Sequence, residues 1–244
     1  MTRRPAGAHA VVTGASSGIG AAVAARLAAD GCTLLIVGRD RSRLDAVART
    51  SGARSVVADL GTAAGRAAVV AAVDRVDLLV HAAGLGAAGP LTELPPERID
   101  ELLAVNLAAP VHLTRALLPP LKAAGGHVVF VASVAAVGVA GEAVYSATKA
   151  GLRGFADALR VEGDVGVTTV LPGAVATDFF TRRGRPYHRR VPRPVTADRV
   201  ADALVAGVRH HRAEVFVPRW LTVGARVHGA APAAFARLSR RLDR

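Results

Sequence analysis

Seven short runs of β-branched and other apolar residues recur along this chain, each separated from the next by an alanine-rich stretch, and this alternation restricts the fold more than any other feature. The runs predict strands at 9–13, 33–37, 55–58, 78–81, 127–132, 167–171 and 214–217. Helices are predicted at 19–29, 41–49, 63–73, 96–123, 143–161 and 197–209. Repeated βα units cross over with one hand, so the expected architecture is α/β: a doubly wound, seven-stranded parallel sheet with helices on both faces. Ligands then bind at the carboxyl ends of the strands.

A chain of 244 residues with 51% apolar content can bury a full core, and residues 1–244 read as one domain without internal repeats. No run approaches the length of a membrane span, and the start Met1-Thr2-Arg3-Arg4-Pro5 lacks an apolar signal segment, so a cytoplasmic location is expected. The single cysteine, Cys32, lies in an apolar run and is expected to be a structural thiol. A net charge of +12 could attract nucleic acid, anionic lipid or acidic ligands, but 4% aromatic residues offer few platforms for stacking bases. The charge is read as an arginine-rich solvated surface, with no nucleic-acid partner and no resident metal.

After the first run comes Thr13-Gly14-Ala15-Ser16-Ser17-Gly18-Ile19-Gly20, leading into a helix. Small residues there let the backbone turn sharply, bring amide N–H groups against a pyrophosphate and face a helix N-terminus toward the anion. Farther on, Tyr145 and Lys149 are four apart and share a face of the expected helix. An ordinary phenol, with a pKa of about 10, is a poor proton donor-acceptor at neutral pH. A neighbouring ammonium favours its ionised form and brings it closer to use. The upstream hydroxyl of Ser133 could hold a substrate oxygen beside it. Pro110, four residues after Asn106, has no N–H, so in a continuous helix the Asn106 carbonyl lacks its usual partner and is free to bind water.

Together, residues 13–20, Asn106, Ser133, Tyr145, Lys149 and Pro172-Gly173 resemble the short-chain dehydrogenase/reductases, in the single-domain branch of about this length. The resemblance runs from about residue 8 to residue 177. It implies a Rossmann fold, a nicotinamide cofactor and hydride transfer between that cofactor and a carbonyl or alcohol. By position, Tyr145 becomes the general acid or base and Ser133 orients the substrate oxygen. Lys149 lowers the tyrosine pKa and binds the nicotinamide ribose, and Asn106 holds a water in the proton relay. Gly14, Ser16, Ser17, Gly18, Ile19 and Gly20 cradle the pyrophosphate. Dimers or tetramers are usual in the family, so a homo-oligomer is expected.

An acidic residue at the end of the second strand would bind the ribose hydroxyls of NAD. Gly38-Arg39 stands there, with Arg41 and Arg43 close by, which favours the 2′-phosphate of NADP(H) while leaving NAD(H) open. Alternatively, residues 39–43 are the solvated start of a helix, and Asp40 competes for the ribose. Asp59-Leu60 falls where the family places its adenine contact, although Asp59 could instead cap a helix. The family's Asn-Asn-Ala-Gly pattern is here His81-Ala82-Ala83-Gly84. Ala82 and Gly84 can still approach the cofactor by backbone, but two side-chain amides are missing, and His81 reads as a packed strand-end histidine. Pro172, Gly173, Val175 and Thr177 resemble the nicotinamide carboxamide contact.

The stretch 178–195 occupies the place of a substrate-covering loop, with Arg182, Arg183, Arg185, Arg189, Arg190, Arg193 and His188 among three prolines. Its cations could recognise a substrate carboxylate or phosphate, or simply stay solvated. Residues 219–244 form a basic amphipathic tail, broken near Gly229 and Pro232, that is read as a terminal packing helix. Contact with anionic lipid, the active site or another subunit is the alternative. The favoured function is an NADP(H)-dependent oxidoreductase acting on a small carbonyl or secondary alcohol. A non-catalytic dinucleotide sensor would not need Ser133, Tyr145 and Lys149. A lyase would not need the intact glycine cradle, and a nucleic-acid binder would need neither.

Overall fold

In the computed structural model, which describes residues 7–187, 192–235 and 237, every expected strand is present with its ends displaced by at most one residue. The strands are β1 His9–Thr13, β2 Thr33–Gly38, β3 Arg54–Val57, β4 Leu78–His81, β5 His127–Val131, β6 Gly166–Pro172 and β7 Glu214–Val217. They form one parallel sheet in the order β3-β2-β1-β4-β5-β6-β7. Pleating sends alternate side chains to opposite faces: Val12, Ile36 and Val80 enter one apolar layer, Val11, Leu35 and Leu79 the other. Both faces are covered, which is why the strands read as continuous apolar runs.

The helices are α1 Gly18–Ala29, α2 Arg41–Ser51, α3 Ala63–Ala71, α4 Pro96–Leu103, α5 Ala109–Ala123, α6 Ala143–Glu162, α7 Phe179–Arg182, α8 Ala197–Arg209 and α9 Leu221–Ala230. Val23 and Leu27 of α1, Leu44 of α2 and Leu204 of α8 fill the first layer. Leu113, Leu117 and Leu121 of α5, Leu152 and Leu159 of α6 and Val69 of α3 fill the second. Several ends are fixed by polar side chains: Asp40 accepts the Arg43 N–H at 3.0 Å, and Thr196 accepts that of Arg199 at 3.2 Å.

The single helix expected over 96–123 is instead two, α4 and α5, separated by a π turn at Ala104–Ala108. Pro110 cannot donate to the carbonyl four residues back, and the ladder widens there, with the Ala109 N–H bonding the Ala104 carbonyl. By length and composition alone this stretch is apolar enough to cross a membrane, contrary to the expectation that no run comes near. Within the fold, Leu102, Leu113, Leu117 and Leu121 are buried. The tail's helix α9 lays Leu221 and Ala225 against Ala132, Leu171 and Phe216. Its Leu238, Arg240, Arg241 and Leu242 lie outside the described residues.

Because the strands are parallel, the segments after β1 to β6 emerge along one edge. The strand order reverses between β1 and β4, and a crevice opens at that reversal.

Candidate active site

Backbone contact builds the crevice. Gly14 has φ +70°, and a Cβ there would lie 2.5 Å from Ala83 Cα, so only glycine lets β1 and the β4 turn touch. A Cβ on Gly20 would collide with the Gly14 carbonyl, so α1 begins against the sheet. Its N-terminal N–H groups, which have no partners within the helix, are thereby aimed at the crevice. Ile19 packs on the core below. Ser16 lies against Gly38, where a Cβ would come within 3.0 Å of the serine's own. Ser17, at the N-cap, makes no side-chain bond to its own helix.

The missing amides after β4 are replaced. Thr13 Oγ1 accepts N–H groups from Ala82 and Ala83, each at 3.2 Å, and lies 3.3 Å from the Val80 carbonyl oxygen to which it donates. His81 is buried, bonded through Nε2 to Thr114 Oγ1 at 2.9 Å and stacked on Phe130 at 5.2 Å. Burial lowers its pKa to about 3, so it is a neutral packing residue. Asn106 sits in the π turn with no exposed surface. Its Oδ1 accepts the Leu85 N–H at 2.7 Å, and its Nδ2 donates to the Leu85 carbonyl at 2.9 Å and to Thr148 Oγ1 at 3.2 Å. The amide thus pins the β4 loop to α6, and a water relay through this residue would have to use its backbone carbonyl.

Ser133 follows β5, while Tyr145 and Lys149 lie in the first two turns of α6; all three are buried. Lys149 Nζ donates to the Val131 carbonyl at 2.9 Å and stands 5.8 Å from the centre of the Tyr145 ring. Burial lowers the ammonium pKa to about 8. Burial also pushes the Tyr145 phenol well above its ordinary 10.0, opposed by a hydrogen bond with Ser133 and by the positive charge of Arg183, while Glu142 adds to the rise. In this geometry the positive charge that lowers the phenol is that of Arg183, carried by the segment after β6. The glycine at 84 matters here, because a Cβ would sit 3.4 Å from Lys149 Nζ and 3.5 Å from Asn106 Oδ1. No side chain stands between the backbone at 84 and these two polar groups.

Arg39, after β2, is half exposed and reaches Glu101 Oε1 at 3.3 Å. Asp59 is not a helix cap: Thr62 caps α3, and Asp59 Oδ1 accepts the Gly61 N–H at 2.9 Å in a local turn. Leu60 is buried beside it. Pro172 ends β6, and Gly173 allows Leu221 of α9 to close in, a Cβ there falling 2.9 Å from Leu221 Cδ1. Val175 forms a parallel bridge with Val195 through the Ala176 N–H and the Ala174 carbonyl, so its own N–H points to the other side. Thr177 Oγ1 accepts the Phe179 N–H at 3.3 Å.

The segment expected to cover the substrate contains α7, whose contacts the sequence did not reveal. Phe179 packs on Tyr145 with ring centres 5.6 Å apart, and Arg183 pairs with Glu142 in a largely buried contact. Arg185 approaches Glu93 at 3.8 Å, and Arg182 Nη2 donates to Ser17 Oγ at 3.2 Å. Among the described residues, Arg182, Arg183 and Arg185 of this loop are therefore met by the protein's own groups. His188, Arg189 and Arg190 lie outside the described residues. A cavity of about 100 Å³ beside Tyr145 is lined by Ala87, Leu91, Leu94 and Val144, with Glu93 and Glu142 at its edge.

Residues 8–187 match the family described as short chain dehydrogenase. An uncharacterized oxidoreductase of Staphylococcus epidermidis is 34% identical over 207 residues, covering 80% of this chain and 88% of that protein. The chain belongs to the short-chain dehydrogenase/reductase family. A short-chain dehydrogenase from Sphingobium yanoikuyae, solved in complex with NADPH, superposes with a TM-score of 0.81 at 30% identity, covering 93% of this chain and 95% of that one. The 3-ketoacyl-(acyl-carrier-protein) reductase of Brucella melitensis, complexed with NADH, gives 0.78 at 29% identity over 87% and 97% of the two chains. Family membership makes this chain an NAD(P)-dependent oxidoreductase. The residues present fit such a dinucleotide: a helix N-terminus brought against the β4 turn by Gly14 and Gly20, and a glycine at 84 that puts no side chain between the backbone and Lys149 Nζ.

Proposed function

We propose that this protein is an NADP(H)-dependent oxidoreductase that interconverts a small carbonyl compound and the corresponding secondary alcohol, with Tyr145 as general acid and base. The observation that carries the reading is the burial of Ser133, Tyr145 and Lys149 together, with Gly84 adjoining Lys149. Gly14, Ser16, Ser17, Gly18 and Gly20 line the pyrophosphate, with Ile19 supporting them. Ala82 and Gly84 meet the adjoining ribose, and Asp59 and Leu60 the adenine. Pro172, Gly173, Val175 and Thr177 hold the carboxamide. Bound there, the nicotinamide supplies or accepts the hydride. Ser133 orients the substrate oxygen, Tyr145 gives that oxygen a proton in reduction or takes one in oxidation, and Lys149 turns from the Val131 carbonyl to the ribose. The cavity's apolar wall favours a small substrate without charge, since its two carboxylates already have arginine partners.

NADP(H) is favoured over NAD(H) because Gly38 presents no carboxylate and Arg39 is a solvent-facing guanidinium held only by an exposed pair with Glu101. A cytoplasmic homodimer or homotetramer is the expected working form. Nothing in the site favours the sensor reading, which leaves Ser133 and Tyr145 without a task. The test compares kcat/KM for NADPH and NADH in wild type, Arg39→Ala and Tyr145→Phe. Arg39→Ala should lose roughly tenfold with NADPH alone, and Tyr145→Phe should lose about 10²–10⁴ in turnover with cofactor affinity kept. An equal loss with both cofactors removes the phosphate role, and normal turnover by Tyr145→Phe removes the mechanism.

A further inference from the structure

We infer that Arg182 is a cofactor-binding residue that clamps the pyrophosphate from the lid side, so that occupancy of the glycine cradle holds α7 in its place over Tyr145. The inference rests on the dinucleotide reading above and adds to it a residue from outside the cradle. Three observations carry it. Arg182 Nη2 already reaches the cradle, at 3.2 Å from Ser17 Oγ, and Ser17 is free to receive it because its hydroxyl caps no N–H of α1. Secondly, among the described residues Arg182 has no carboxylate partner, whereas Arg43 has Asp40 and Asp178, Arg183 has Glu142 and Arg185 has Glu93. Arg182 is exposed, so its remaining donors face solvent and can turn to a phosphate without breaking an ion pair. It stands at the mouth of a helix N-terminus, where an anion is favoured. Thirdly, the lid is built to stay close: the Thr177 methyl lies 3.3 Å from where a Gly18 Cβ would be, so a side chain at 18 would crowd the approach.

Phosphate oxygens entering the cradle meet the α1 N–H groups from below and Arg182 from above. They displace the neutral Ser17 hydroxyl with a charge-assisted, potentially bidentate contact. Asp178 ties the near end of α7 to Arg43 at 3.2 Å, Arg183 ties the far end to Glu142, and Phe179 rests on the Tyr145 ring. One short helix thus spans from the pyrophosphate site to the phenol, and a pull on Arg182 is transmitted to Phe179 within the same turn.

The test uses ADP-ribose, which carries the pyrophosphate without nicotinamide or 2′-phosphate, and adenosine 2′-monophosphate, which lacks the pyrophosphate. Calorimetry on the full chain should show Arg182→Ala binding ADP-ribose about tenfold more weakly. The deficit should shrink as salt rises from about 50 to 500 mM, and Arg182→Lys should recover part of it. Affinity for adenosine 2′-monophosphate should be unchanged. Amide exchange in 177–187 should slow on adding ADP-ribose to wild type and not to Arg182→Ala. Equal ADP-ribose affinity in wild type and Arg182→Ala overturns the clamp, as does a matching loss for adenosine 2′-monophosphate. A wild type that binds neither ADP-ribose nor NADPH overturns the dinucleotide reading itself and the clamp with it.

Discussion

A methyl group added at Gly84 would stand 3.4 Å from Lys149 Nζ and 3.5 Å from Asn106 Oδ1, ordinary contact distances that the protein accommodates without moving its backbone. Gly84 is not among the positive-φ glycines, so alanine there costs no backbone strain and restricts the unfolded chain, a gain of about 0.4–1 kcal/mol. Set against slight crowding of two polar groups, the net change in stability should stay within about 1 kcal/mol, a melting shift of no more than roughly 4 °C for a chain of this size. Cofactor binding has no such tolerance. A methyl in a space that a ribose and nicotinamide must fill costs about 1–3 kcal/mol, or roughly 5- to 150-fold in Kd. Thermal melts of Gly84→Ala with and without NADPH measure both quantities at once. At a ligand concentration of about 100 wild-type Kd the wild type gains ~2.7 kcal/mol, and in the variant that gain should fall to between ~1.8 and ~0.3 kcal/mol. A variant that melts like wild type and is stabilised equally by NADPH would show that the space beside Lys149 is not where the dinucleotide lies.

Three other outcomes follow from the same geometry. Gly14→Ala, which combines φ +70° with a Cβ 2.5 Å from Ala83 Cα, should destabilise the fold by ~3 kcal/mol or more in a denaturant melt; near-native stability would mean that β1 and the β4 turn do not touch. Lys149→Met should be more stable than wild type near neutral pH, by at most ~3.5 kcal/mol, because it removes a buried ammonium whose pKa falls from 10.5 to about 8. In that window the unfolded chain binds the proton more tightly, so wild-type stability recovers as pH rises from about 8 to 10.5 and the gap closes; a pH-independent gap refutes the burial. Alcohol oxidation should accelerate steadily with rising pH through the neutral range, because burial holds the phenol in its protonated form; a flat profile below pH 9 would contradict that proton affinity.

The sheet was legible because it obeys a local rule: a parallel strand buried on both faces must be apolar throughout, and runs such as 33–37 and 127–132 announce themselves. The break at Ala104–Ala108 was half legible. Pro110 marked a lost hydrogen bond, but whether the helix kinks, stops or widens depends on what packs around Asn106. The glycines of the cradle could be named in advance from a glycine-rich turn between a strand and a helix, Tyr145 and Lys149 from their shared helix face, and Ser133 with them from the resemblance to a known family. Thr13 as the substitute for the missing amides, Glu142 as the mate of Arg183 and Arg182 as a neighbour of Ser17 could not. Arg182 and Ser17 lie 165 positions apart, and no local pattern distinguishes Arg182 from the other arginines of a loop that reads as uniformly basic.

Proton affinity at Tyr145 ties the lid to the chemistry. Burial raises it, Ser133 and Arg183 lower it, and Glu142 raises it. Two of these four influences belong to one ion pair, and one partner of that pair, Arg183, is carried by the segment that covers the site. A phenol held protonated is ready to give its proton to the oxygen of a carbonyl being reduced, whereas oxidation of an alcohol has to wait for the phenolate. With Phe179 of α7 resting on the Tyr145 ring, the charge of Arg183 offsets part of the rise that burial imposes, and the phenol still stays well above its ordinary 10.0. Among the described residues of this arginine-rich segment, Arg183 is the one whose charge lowers the proton affinity of the phenol on which the proposed proton transfer depends.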